Sequence, residues 1–100
     1  MIDRALVFED FTDKVGQVFT ISDEGAPAIA LSLTEASLLN PAYGLPDKRP
    51  PFSLIFLAKE PRVLEQRIYR MAHNGLGELS MFIVPVGKTA EGVSYQAVFN

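Results

Sequence analysis

The chain has 100 residues, of which 48% are hydrophobic, a net charge of −3 and no cysteine. This length and composition fit one globular domain, residues 1–100, and exclude an intrinsically disordered chain. Without cysteine there is no disulfide framework, and the acidic balance argues against nucleic acid as the main partner. No apolar run approaches the roughly 18 residues of a membrane span, and the first residues lack the pattern of a signal peptide, so we expect a cytoplasmic protein that does not enter a membrane.

The first third of the chain predicts a short helical turn and two strands. The turn spans residues 9–16, and the strands span residues 17–22 and 27–34, with a tight turn at 23–26 between them. Bulky apolar side chains alternate with smaller or polar ones along both strands, which is the period of a sheet with one buried face. Residues 35–39 either continue the second strand or form a bend. The side chains expected to face the core are Phe8 and Phe11 beside the turn, Phe19 and Ile21 on the first strand, and Ile29, Leu31 and Leu33 on the second.

The middle of the chain predicts a proline-rich loop and a strand that is apolar on both faces. Residues 40–51 hold four of the seven prolines and form a loop within the domain. The strand follows at residues 52–59. A strand that is covered on both faces fits the middle of a sheet, or a surface over which a partner lies. One face carries Phe52, Leu54 and Phe56. The other face carries Ile55 and Leu57.

The last third predicts three strands joined by two glycine-containing turns. The strands span residues 66–73, 77–86 and 93–100, and the turns lie at 74–77 and 87–92. The Asn-Gly pair that opens the first turn is a strong hairpin signal. The predicted fold class is therefore all-β, a small antiparallel barrel or sandwich of about six strands connected mainly as a meander, with a short helical turn near the N-terminus. The side chains expected to face inward here are Tyr69, Met71, His73, Leu79, Met81, Ile83, Val93, Tyr95, Ala97 and Phe99.

Residues suited to catalysis or to metal binding are scarce. His73 is the only histidine, and no Gly-x-Ser-x-Gly elbow singles out a serine for nucleophilic attack. We expect the His73 ring to hold the tight turn that follows it by donating to a backbone carbonyl. The acidic residues near the N-terminus lack the spacing of a calcium loop, and the glycines form no phosphate-binding fingerprint. The sequence therefore predicts no enzyme, no metal site and no cofactor.

Three arginines near Tyr69 are the candidate for a nucleic-acid-binding patch. They are Arg62, Arg67 and Arg70. Arg67 and Arg70 are expected on opposite faces of one strand, and Tyr69 is expected to face the core. These side chains cannot form one flat basic platform, so we predict no nucleic-acid binding.

The chain carries more apolar side chains than one face of a small sheet can bury. On the strand at 77–86, one face suffices for the core, which leaves the opposite face unexplained. Either the sheet curls into a barrel, or a protein partner or a second copy covers the outer face. Pro85 cannot donate a ladder hydrogen bond and predicts an edge or a bulge beside this surface. The residues of this candidate interface are Ile55, Leu57, Phe82, Val84, Val86 and Val98.

Six short segments, spread over nearly the whole chain, carry a combined pattern. They are Phe11 with Val15, Gly16 and Phe19; Pro51 to Phe56; Tyr69 and Arg70 with His73; Leu76 and Gly77; Phe82 to Gly87; and Tyr95 to Asn100. In this pattern the chain resembles a family of small bacterial proteins, each about this long, that is defined as a domain of unknown function. The resemblance implies genes for proteins similar to phage-tail collars nearby, and thus a part in a tail-like or secreted assembly, but it transfers no site residues.

Two classes of function follow from these observations. The leading hypothesis is a non-enzymatic domain that works by protein–protein contact or self-association, or as a structural part, within a phage-tail-like assembly. The alternative is a closed barrel that holds a small apolar ligand in a cavity lined by the apolar residues. A filled interior would count against that alternative.

Overall fold

The computed structural model describes residues 5–22, 27–39, 50–60 and 62–99. The turn predicted at 23–26 and most of the loop predicted at 40–51 lie outside this part of the chain. The elements are a 3₁₀ turn (Phe8–Asp10) and six strands, β1 (Val18–Ile21), β2 (Ile29–Leu38), β3 (Phe52–Ala58), β4 (Arg67–His73), β5 (Gly77–Thr89) and β6 (Gly92–Phe99).

The six strands form one closed antiparallel barrel. Around the ring, the strands follow the order β1-β2-β3-β6-β5-β4, and β4 pairs with β1 to close it. The predicted all-β fold is confirmed, and of the two predicted forms it is the barrel. The predicted meander is interrupted once: β1–β2–β3 and β4–β5–β6 are each a meander, but β3 pairs with β6 and not with β4.

The inward faces of the strands fill the barrel with large side chains. The alternation predicted from the sequence is confirmed in the main: most of the residues expected inside are buried, but Phe8 and Phe99 are half-buried, and on β3 Ser53 is buried as well as Phe52 and Leu54. Burial of this apolar surface is the main source of stability, at roughly 25 cal/mol per Å². The side chains that lie fully inside and are largest in volume are Tyr95, Phe11, Phe19, Phe52, Phe56, Ile21, Leu31, Leu33, Leu54, Met71, Met81 and Ile83.

The N-terminal segment closes one end of the barrel. The Phe11 side chain is fully buried there, and its ring lies 5.9 Å from that of Phe52 and 6.1 Å from that of Phe99. Phe52 and Phe99 are cross-strand partners at the ends of β3 and β6, and their rings stack at 4.6 Å. The prediction that Phe11 faces the core is confirmed, and such aromatic pairs add to the energy of burial alone.

The connector between β3 and β4 closes the opposite end. These two strands are three positions apart in the ring of six, so the chain must cross the mouth of the barrel to reach β4. Leu64 is the buried plug, and its N–H donates to the Tyr95 hydroxyl at 2.8 Å. The Tyr69 hydroxyl donates to the carbonyl of Glu65, also at 2.8 Å. The hydroxyl groups of Tyr95 and Tyr69, which lie on strands of the barrel, therefore fix the backbone of the connector at Leu64 and Glu65. We call this connector the cap.

Two β-bulges interrupt the strand pairing, one in β2 and one in β5. In β2 the pairing with β3 skips Thr34, so residues 35–38 continue the strand, which settles the alternative left open by the sequence. In β5 the pairing with β6 skips Val86, directly after Pro85, as predicted for a residue that lacks an N–H. The turn predicted at 87–92 is shorter than expected, because β5 runs on to Thr89 once the bulge has restored its pairing.

Candidate protein interface

The structure places the six predicted interface residues on the outside of three neighbouring strands. Phe82, Val86 and Val98 are exposed over 48%, 52% and 48% of their surface, and Ile55, Leu57 and Val84 are half-buried. Strands β3, β6 and β5 that carry them are consecutive in the ring. Val86 lies at the bulge, at one end of the group. The sequence therefore identified a set of residues that the fold does bring to one side of the barrel.

A seventh residue, Ile68, was missed. It lies on β4 directly opposite Phe82, and at 64% it is the most exposed of the large hydrophobic residues in the described part of the chain. The alternation along β4 did place Ile68 outward, but its neighbours on that face are Arg70 and Ala72, which gave it a polar context. Only the pairing of β4 with β5 shows that it extends the apolar surface.

Neighbour relations connect these side chains into one surface. Ile68 faces Phe82, Val84 follows on the same face of β5, Val84 pairs with Gln96, and Gln96 pairs with Ile55. We call Ile55, Leu57, Ile68, Phe82, Val84 and Val98 the outer patch, with Gln96 in its middle. Single exposed apolar residues are normal, and a contiguous apolar patch across four strands is a candidate contact surface.

The outer patch carries no charged residue. Charged residues border it on two sides: Arg70, which follows Ile68 on the outer face of β4, forms an ion pair with Glu78 at 3.8 Å, and the exposed Glu35 on β2 is the cross-strand partner of Ile55. The Gln96 amide is half-buried among apolar neighbours, and no hydrogen bond of its side chain is found within the described part of the chain. A partner on this surface would cover it, together with the hydroxyl of Ser94, which pairs with Leu57.

His73 is part of the structure of the barrel end. Its Nδ1 accepts the backbone N–H groups of Gly75 at 2.9 Å and Leu76 at 3.1 Å, and its Nε2 lies 2.6 Å from Oε1 of Gln17. Because backbone N–H groups only donate, Nδ1 is unprotonated and Nε2 carries the proton that goes to Gln17. The predicted role in holding the turn is right, but the ring accepts from backbone N–H groups and does not donate to a carbonyl.

The neutral form of His73 is favoured. Burial of the ring lowers its pKa below the ordinary value of 6.5, the nearby ammonium of Lys14 lowers it further, and the carboxylate of Asp13 acts in the opposite direction. The ring also packs against Phe19 at 4.6 Å between centroids. The hydrogen bonds to the turn and to Gln17 and the packing against Phe19 give this imidazole a structural part in the barrel end.

Two concavities lie among the described residues, away from the outer patch. Among the described residues, no group of three or more His, Asp or Glu side chains is arranged to hold a metal ion. A concavity of about 90 Å³ lies at the β1–β4 seam, and one of about 200 Å³ lies beside the connector 62–65. Both are below the range of roughly 300–1,000 Å³ typical of small-molecule sites. Two of the three arginines of the candidate nucleic-acid-binding patch have different partners. The guanidinium of Arg67 lies over the Tyr69 ring, 4.3 Å from its centroid, and Arg70 forms its ion pair with Glu78.

The fold and surface together define a small closed β-barrel with a filled interior and an apolar patch on its outer wall. The chain belongs to the family described as a domain of unknown function, DUF6916, whose model matches residues 6–99. The predicted membership in a family of small proteins defined as a domain of unknown function is therefore confirmed. Comparison with curated proteins and with solved structures gave no match. In the part of the chain that the structure describes, no helix has the length and apolar character required to span a membrane.

Proposed function

We propose that this domain works by protein–protein contact through the outer patch, without catalysing a reaction. The observation that carries the proposal is the exposed pair of Ile68 and Phe82, continuous with Val84 and Val98, on a barrel whose core is complete without them. Keeping such side chains in water is unfavourable by roughly 25 cal/mol per Å² of apolar surface. A partner that covers the patch removes this cost.

The closed ring restricts how a partner binds. Each of the six strands pairs with a neighbour on both sides, although β1 and β4 pair only through Thr20 with Ala72 and Ile21 with Met71, so the described residues offer no strand edge that is open along its whole length. This favours recognition through side chains on the outer wall. A patch of apolar side chains with a single amide suits a partner with a matching apolar surface.

The alternative function, a barrel that holds an apolar ligand, has less support. The inward positions are occupied by fully buried aromatic and branched side chains, and Phe11 and Leu64 plug the two ends. A ligand of drug size requires a cavity of roughly 300 Å³ or more, which the concavities at the β1–β4 seam and beside the connector do not provide. A place in a phage-tail-like assembly and a cytoplasmic location stay predictions that accompany the main proposal.

A matched pair of substitutions tests the proposal. Val98→Lys places a charge in the outer patch, and Val18→Lys places one at a residue of equal exposure on β1, which lies three positions away around the ring. Light scattering would be measured for each variant, alone and mixed with the products of neighbouring genes. We expect Val98→Lys to lose an association that the wild type and Val18→Lys retain. A wild-type protein that stays monomeric and binds none of these products would overturn the proposal.

A further inference from the structure

We propose that Asn74 is a site of spontaneous deamidation, through ring closure with the backbone nitrogen of Gly75, and that the Nδ1 atom of His73 keeps this site closed in the folded barrel. The site lies in the turn between β4 and β5, five positions along β4 from Ile68 of the outer patch, so it is independent of the proposed function. Three features of the turn support it: its sequence, the direction of one N–H group and the contact between Gly75 and the imidazole.

The turn contains the two residues that the reaction needs. The backbone nitrogen of Gly75 loses its proton and attacks Cγ of Asn74; the N–Cγ bond forms, the Cγ–Nδ2 bond breaks, and Nδ2 takes up a proton and leaves as ammonia. Water then opens the five-membered ring at either carbonyl, which yields aspartate or isoaspartate. Glycine after asparagine favours the attack because no Cβ hinders its nitrogen. Both residues are exposed, so water reaches them.

The hydrogen bond to His73 directs the Gly75 N–H away from this reaction. In the planar ring, Cγ occupies the position on nitrogen that the hydrogen holds in a trans peptide. The N–H must therefore point at the Asn74 side chain before the ring can close. In the barrel it points at Nδ1 of His73, 2.9 Å away, so the imidazole fills the space that Cγ would have to enter.

The imidazole is itself held in place. Its Nε2 lies 2.6 Å from Oε1 of Gln17, its Nδ1 also accepts the Leu76 N–H at 3.1 Å, and the ring packs against Phe19. His73 is only 7% exposed, so water competes little for Nδ1. The Gly75 N–H is therefore released only when the turn itself opens.

The same ring requires glycine at position 75. The positive φ of this turn, +77°, is at Gly77 and not at Gly75. A Cβ at Gly75 would lie 3.3 Å from Cε1 of His73, closer than the roughly 3.5–4.0 Å at which carbon atoms pack. The contact that favours the reactive Asn-Gly pair thus also protects it.

Deamidation would alter the turn permanently. Isoaspartate adds one carbon to the backbone between Asn74 and Gly75, which moves the N–H groups of Gly75 and Leu76 away from Nδ1. Either product replaces a neutral amide by a carboxylate, so the formal net charge changes from −3 to −4. Local opening of the hairpin, which proteins undergo without unfolding completely, is the event that exposes the site.

A matched pair of substitutions around the imidazole tests the proposal. His73→Phe keeps a flat ring against Phe19 but removes the acceptor, whereas Gln17→Ala removes the partner of Nε2 and leaves Nδ1 in place. Both variants, the wild type and the wild type unfolded in urea would be incubated at neutral pH. Mass spectrometry of the tryptic peptide 71–88 measures the replacement of the amide by an acid, and circular dichroism verifies the fold of each variant.

We expect folded His73→Phe to deamidate at Asn74 about tenfold or more faster than the folded wild type and Gln17→Ala, because ring closure no longer has to break a hydrogen bond. Equal rates in folded His73→Phe and the wild type would overturn the protecting role of His73. His73→Leu, which also lacks an acceptor, replaces His73→Phe if that variant does not fold. A wild type that reacts as fast when folded as in urea, or that does not react at Asn74 even in urea, would overturn the proposal without any variant.

Discussion

Ile68 and Phe82 face each other across β4 and β5 on the outside of the barrel, and both remain largely in contact with solvent. Cross-strand apolar pairs contribute about 0.2–1 kcal/mol to a sheet. That small gain does not explain why two of the bulkiest apolar side chains are outside while the interior is full. The protein contact proposed for the outer patch would explain it, since both side chains lie at one margin of that patch.

Substitution of Phe82 should affect surface properties far more than stability. We expect Phe82→Lys to change the free energy of unfolding by less than about 1 kcal/mol, because the side chain lies outside the core. Binding of a dye that fluoresces on apolar surfaces should fall. Phe56→Ala is the contrasting variant, since Phe56 is fully buried, and its loss should cost about 3–5 kcal/mol. Urea denaturation measures both, and a Phe82 variant as unstable as the Phe56 variant would contradict this assignment.

Acidification should destabilise the barrel through His73. Its folded-state pKa lies below 6.5, so the unfolded chain binds the proton more readily. The stabilising contribution is complete above pH 6.5 and is lost progressively as the pH falls from 6.5 towards the folded-state pKa. Protonation at Nδ1 would also break the hydrogen bonds from Gly75 and Leu76. Urea denaturation at a series of pH values from 7.5 to 5 would show this decline.

The matching variant for this test is His73→Asn. The asparagine oxygen can still accept from the backbone N–H groups of the turn, as in an Asx turn, but it gains no proton in this range. We expect its free energy of unfolding to be lower at pH 7.5, because the packing against Phe19 is reduced, and to change much less between pH 7.5 and 5. An equal pH dependence in the wild type and in His73→Asn would show that another group is responsible.

The sequence predicted the strands and their inward faces well because both depend on a local period of two. It missed the pairings of β3 with β6 and of β1 with β4, since residues such as Phe52 and Phe99 are far apart in the chain and no local pattern joins them. For the candidate interface, the sequence predicted six residues because they are apolar and lie on the strand face opposite the core. Ile68 was not among them, because it joins the apolar surface only through its pairing with Phe82 on the neighbouring strand. The extent of β5 beyond Gly87 was also missed, because the bulge that allows it is set by the partner strand.

Gly92 should not tolerate any side chain. Its φ is +141°, and a Cβ placed there would approach the carbonyl oxygen of Ala58 within 2.1 Å. Both the unfavourable dihedral angle and this backbone clash oppose Gly92→Ala, so we expect a loss on the order of 3 kcal/mol or failure to fold. Gly87→Ala, in the same hairpin, meets nothing within 4 Å and should stay within about 0.5 kcal/mol of the wild type. Thermal melts of the two variants would separate the predictions.

The cap at the connector end should depend on one hydroxyl. Tyr95→Phe keeps the ring in the core but leaves the buried N–H of Leu64 without its acceptor, and we expect a cost of about 1–3 kcal/mol. Tyr69→Phe removes a less buried hydrogen bond to the carbonyl of Glu65 and should cost about 0.5–1.5 kcal/mol. Hydrogen exchange provides a local readout, since the Leu64 amide should exchange faster in Tyr95→Phe. Unchanged exchange at Leu64 would show that the hydroxyl does not hold the cap.

Because of the strand order in the ring, the first half of the chain exposes apolar surface and unpaired strand edges during synthesis. The first three strands leave the ribosome before any residue of β4–β6, so until then β1 and β3 both lack the neighbours with which they close the ring. A nascent three-stranded sheet of this kind has two open edges and an uncovered apolar face, which are the features that promote aggregation. Pairings between distant strands also form slowly. Although every strand is paired in the folded barrel, avoiding aggregation before that point therefore depends on rapid synthesis of β4–β6.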